Sequence, residues 1–166
     1  GTTNVNLVTN VSPGNVVADN STLPYNISGT GRITGGGGLS KLGTSSLTLR
    51  TTNNTYTGAT KIDGGGEVIA TVPFNLGTNS ALTIGTGTLT VGANSQKFSA
   101  VAVTNGTINA SGATITATNY SLNVGTISAI LAGGDLSTFG TTNETMTLTA
   151  ANTYTGRTIL GGSANI

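Results

Sequence analysis

The chain has 166 residues, a formal net charge of +1 and charged side chains at only 7% of positions, with 26 glycines and no cysteine, histidine or tryptophan. The six basic residues are scattered, so no cluster exists to track a nucleic-acid backbone. Disulfides, Cys- and His-based metal sites and the commonest general base are excluded by composition.

A mean hydropathy of +0.13 argues against disorder, which goes with low hydrophobicity and high net charge. No apolar run is long enough to span a bilayer as a helix, since that takes about 18 residues or more. Thr, Val, Ile and Tyr suit a half-buried pleated surface, and Gly and Asn suit turns. The composition predicts an all-β chain.

Read in order, the chain opens on an uncharged alternating stretch, GTTNVNLVTNV. A glycine run at 35–38 follows, and then alternating segments at Leu47–Arg50, Thr60–Asp63 and Glu67–Ala70, with a second glycine run at 64–66. Between them stands Asn54-Thr-Tyr-Thr-Gly-Ala-Thr60. The middle of the chain continues with short runs at Ala81–Ile84, Thr88–Val91, Ser99–Val103, Thr107–Ile108 and Ala113–Ala117. These read as strands of three to six residues.

The first block then returns. GGGGLSKLG (35–43) aligns with AGGDLSTFG (132–140), Leu47-x-Leu49 with Met146-x-Leu148, and NTYTGAT with Asn152-Thr-Tyr-Thr-Gly-Arg-Thr158. Upstream, Asn26-Ile27 aligns with Asn123-Val124. A block at 26–70 therefore recurs at 123–166, and such periodicity marks a stacked repeat. The shared signature is Tyr56, Gly58, Thr60 and Ile62 in the first copy and Tyr154, Gly156, Thr158 and Leu160 in the second.

Short strands, long Gly/Asn/Thr corners and one recurring motif favour a coil of parallel rungs over a sandwich of hairpins. Rungs of about 20–25 residues give roughly seven or eight turns, about 35 Å of rod at the usual strand spacing. The expected core is Leu39, Leu47, Leu49, Ile62 and Val68, with Leu136, Met146, Leu148 and Leu160 as counterparts.

The stretch from Gly36 to Gly64, with Lys41, Tyr56, Gly58, Thr60 and Ile62 at its key positions, resembles the autotransporter-associated β-strand repeat found in passenger regions of large secreted bacterial proteins. The second copy, Gly133–Gly162, departs from that pattern at Thr138, where the family has Lys, and at Leu160. The two copies cover about half the chain. The resemblance implies a single right-handed parallel β-helix, exported and displayed at the cell surface.

Chemistry is sparse. The glycine runs lack the Lys-Ser/Thr pair and the helix of a phosphate-binding loop, and no Asp sits where a calcium-binding nonapeptide needs one; they read as turns with positive φ. Lys61 and Asp63 fall on one face of a strand with Ile62 inward, and read as a solvated pair. Paired carboxylates facing one cleft, which glycoside hydrolysis needs, are not apparent among Asp19, Asp63, Glu67, Asp135 and Glu144. Tyr56 and Tyr154 are read as corner staples over Gly58 and Gly156, in preference to sugar-stacking platforms.

Asn-x-Ser/Thr sequons at Asn10, Asn20, Asn26, Asn53, Asn105, Asn109, Asn119 and Asn143 barely exceed chance in so Asn- and Thr-rich a chain. Asparagine ladders between rungs account for most of them.

The expected function is a non-catalytic extracellular structural or adhesive module, with a polysaccharide-binding or polysaccharide-cleaving β-helix as the alternative. No catalytic residue, cofactor or metal is assigned. Both ends look uncapped, so the chain is expected to be a slice of a longer passenger or a subunit that stacks end to end. Cell-surface or matrix glycans are the other expected partner.

Overall fold

The computed structural model describes residues 3–140 and 143–161; the last residues of the second block, 162–166, lie outside it. The described strands are β1 (Asn4–Asn6), β2 (Val16–Asp19), β3 (Tyr25–Ser28), β4 (Leu39–Leu42), β5 (Ser46–Leu49), β6 (Thr60–Ile62) and β7 (Glu67–Ala70). They continue as β8 (Ala81–Gly92), β9 (Gln96–Lys97), β10 (Ala100–Ala110), β11 (Thr114–Ile127), β12 (Ile130–Thr138), β13 (Met146–Leu148) and β14 (Thr158–Leu160).

Among the described residues every pairing is parallel and joins strands one turn apart, giving a β-solenoid of about seven turns. One ladder runs β1-β3-β5-β7 into the later parts of β8, β10 and β11 and ends on β13. A second runs β2-β4-β6 into the early parts of β8 and β10, through the middle of β11 to β12 and β14. A shorter third line carries the Val11–Ile33 bridge and the pairing of β9 with β11.

Rung length follows from the register. It is 22 residues from Asn4 to Asn26 and 19 from Thr88 to Thr107. The difference lies in the corners. From β8 onward the strands are 9 to 14 residues long apart from the short β9, β13 and β14, longer than the short runs read from sequence. Glycines at one corner column cause this. Gly87 (φ 136) and Gly125 (φ 137) bend the chain within the ladder, where an L-residue would be strained, so the hydrogen bonds continue round the bend.

Alternate residues of each strand point inward. Leu39, Leu47, Leu49, Ile62, Val68 and Leu136 are buried as expected, along with Leu82, Ile84, Leu89, Val103, Ile108, Leu122 and Ile127. At about 25 cal/mol per Å² of apolar surface removed from water, these stacked aliphatic columns are the main stabilising term. Three expected core positions differ. Met146 and Leu148 are only partly buried, and Leu160 is 82% exposed. Leu160 follows Ile62 and Thr138 in the inward column of the second ladder, but no described rung lies beyond it to cover it.

The ladder also corrects two sequence pairings. Asn26-Ile27 and Asn123-Val124 are not equivalent, since Ile27 stacks on Val5 and Leu49 whereas Val124 stacks on Asn105. Leu148, not Met146, shares the column of Leu47, through Val68, Leu89, Ile108 and Ile127. The match was slipped by two residues, which at a period of two leaves each side chain on its own face.

Candidate functional site

Every residue of the repeated Asn-Thr-Tyr-Thr-Gly-x-Thr signature has a structural partner, and the partners recur in both copies. Asn54 Oδ1 accepts from the Ile33 backbone N–H at 2.8 Å, and Asn152 Oδ1 accepts from that of Leu131 at 2.8 Å. The amides of Thr55 and Thr153 donate back to the Ile33 and Leu131 carbonyls. At the next alternate position Thr57 and Thr155 give both N–H and hydroxyl to the Gly35 and Gly133 carbonyls.

Tyr56 and Tyr154 point their phenols at Thr60 and Thr158, with O···O distances of 2.7 and 2.8 Å. Thr60 stands in the inward column between Leu39 and Leu82, where a lone hydroxyl would cost about 1–3 kcal/mol. Each buried hydroxyl of the Tyr56–Thr60 pair thus satisfies the other. Burial also pushes the Tyr56 phenol above its ordinary pKa, against the smaller opposing effect of the Thr60 hydrogen bond.

The Tyr56 ring closes on the rung that follows. It packs on Gly77 of the following rung, where a Cβ would come within 2.6 Å of the ring. Gly58 instead meets the backbone of the preceding rung: a Cβ there would stand 2.6 Å from Gly37 and Gly38 atoms. Gly156 meets Gly134 and Asp135 in the same way, at 2.4 and 2.5 Å. Of the two glycine runs, only Gly35, Gly64 and Gly65 have positive φ. Gly37, Gly38 and Gly66 answer to close approach, each leaving less than 3.0 Å for a Cβ.

Sequence reading missed the interior polar stack that starts at Asn54. Asn54, Asn75 and Gln96 are all buried, and their spacing is one rung. Asn54 Nδ2 donates to the Asn75 carbonyl at 2.7 Å and to Thr51 Oγ1 at 3.0 Å. The Asn75 N–H donates to Gln96 Oε1 at 3.1 Å, and Gln96 Nε2 reaches the Val72 carbonyl at 3.0 Å. At this inner corner the strand ladder is interrupted, and the side-chain amides serve backbone groups that burial would otherwise leave unpaired. The recurrence of Asn, Asn and Gln at a fixed interval of one rung was the available signal.

Lys41 was also missed as an interior group. Its register between Ala18 and Ile62 turns it inward, and it is 0% exposed. Nζ donates to the Leu42 carbonyl and, at 2.7 Å, to that of Gly43. The small side chain of Ala18 and the bare backbone of Gly66 leave room for it; a Cβ on Gly66 would lie 2.5 Å from Nζ. Desolvation lowers the Lys41 pKa, and the nearby Asp19 charge partly opposes this.

The surface carboxylates brace neighbouring rungs. Asp63 accepts from Thr86 Oγ1 at 2.7 Å and from the Gly64 N–H at 2.9 Å, so its partner is Thr86 and not Lys61. Those hydrogen bonds hold it below the usual carboxylate range. Glu67 takes Thr90 Oγ1 at 2.5 Å. Asp135 binds Arg157 through its Nε and Nη2 atoms at 3.1 and 2.7 Å and accepts the Arg157 backbone N–H at 2.9 Å, which likewise lowers its pKa.

Of the sequon asparagines, Asn26 forms the expected ladder, donating to Asn4 Oδ1 at 2.9 Å. No other asparagine–asparagine side-chain bond joins two rungs among the described residues. Asn20 is buried and ties its own turn to the next, through the Leu23 and Ser46 carbonyls at 2.8 and 2.9 Å. The exposed aromatics Tyr25, Phe74 and Phe139 stand on different columns, so the described residues hold no aromatic row of the kind a sugar-binding face would use. No described helix is long and apolar enough to cross a membrane.

Fold and site together define a parallel β-solenoid with a repeated hydrogen-bonded corner. Comparison with family models, curated proteins and solved structures finds no match to the chain.

Proposed function

We propose that this chain is a non-catalytic structural module: a stiff β-solenoid rod, exported and displayed outside the cell as part of a surface stalk or an end-to-end stacked fibre. The observation that carries the reading is where the polar groups go. Asp63, Glu67 and Asp135 each bond a residue one rung away, and the repeated signature is consumed by asparagine contacts to the preceding rung and by tyrosine–threonine bonds within its own turn. Groups used this way stiffen a rod instead of meeting a substrate. Stacked repeats of this kind contact only their neighbours and are stabilised as coupled units along one axis.

Electron microscopy of native material, beside mass spectrometry of the intact chain, tests the proposal. Straight rods or fibres at the cell surface are expected. Material confined to the cell interior would overturn the reading. So would release of reducing sugar ends when the purified chain is incubated with polysaccharides.

A further inference from the structure

We draw no further inference here: the strongest candidate, the apolar cavity of about 450 Å³ in the first described turn, lined by Val5, Leu7, Val11, Ile33 and Asn20 among others, carries nothing, because nothing in the structure shows what covers it and the unpartnered Asn20 Oδ1 beside it is closed off from solvent.

Discussion

The two copies of the signature carry the same bonds in different surroundings. Tyr56 is 1% exposed, with Gly77 of the next rung closing over its ring. Tyr154 makes the same phenol contact, to Thr158, yet is only partly buried. Local hydrogen bonds are thus set by the seven-residue motif, whereas burial is set by the neighbouring rung. The comparison separates the worth of the bond from the worth of the cover.

The largest effect expected is from removing the ring. Tyr56→Ala should cost about 3–5 kcal/mol, as for other buried aromatics. Tyr154→Ala should cost about 1–2 kcal/mol, because less apolar area leaves the protein. Urea unfolding of the two variants gives both numbers, and equal costs would break the comparison.

Next come the asparagines. Asn54→Ala strands the buried Ile33 N–H and the Asn75 carbonyl, at a cost of about 1–3 kcal/mol. Asn152→Ala frees the Leu131 N–H closer to solvent and should cost about 1 kcal/mol or less. Hydrogen exchange at Ile33 and Leu131 reads the same contrast amide by amide.

Alkaline pH sharpens the comparison through the tyrosines. Tyr56 and Tyr120 both have raised pKa values in the folded chain, chiefly from burial, and that of Tyr120 is pushed up to about 12. Their stabilising contribution is full below the ordinary value of 10.0 and is lost as pH rises through the folded value. Lys41 acts in the opposite direction. Its folded pKa is lowered from 10.5, so stability rises with pH between the folded value and 10.5. A pH series of unfolding midpoints should lose that rise in Lys41→Met and lose part of the alkaline fall in Tyr56→Phe.

The smallest effect is on the acid side. Asp63 and Asp135 titrate below the usual value of 3.8. Their contributions are present above that value and disappear as pH falls through the folded pKa. Exposure and salt screening keep such contacts weak. Asp63→Asn should flatten the acid limb slightly and leave the neutral midpoint where it was.

Much of the fold was legible because a solenoid writes its geometry as a period. The NTYTGxT repeat, the alternation of Leu47 and Leu49, and the Gly/Asn/Thr corners all point to stacked parallel rungs, as found. The inward face was readable from the same alternation, and slipping Met146 onto Leu47 did no harm because the slip was even.

What was not legible depended on the neighbouring turn. Leu160 keeps the pattern of an interior residue, yet it is exposed because no described rung covers it. Gly58 looks like a turn glycine, but its constraint comes from the backbone of residues 37 and 38. Lys41 reads as a surface charge until Ala18 and Gly66 on adjacent rungs are seen to make room for it. Asn54, Asn75 and Gln96 were hidden among many similar amides, although a search at rung spacing would have isolated them.

The central claim is that the signature is a structural clasp whose strength comes from burial. A double-mutant cycle tests it most directly, with Tyr56→Phe and Thr60→Val set against Tyr154→Phe and Thr158→Val. The account predicts a coupling of about 1 kcal/mol for the first pair and close to zero for the second. Equal couplings, or none between Tyr56 and Thr60, would contradict it.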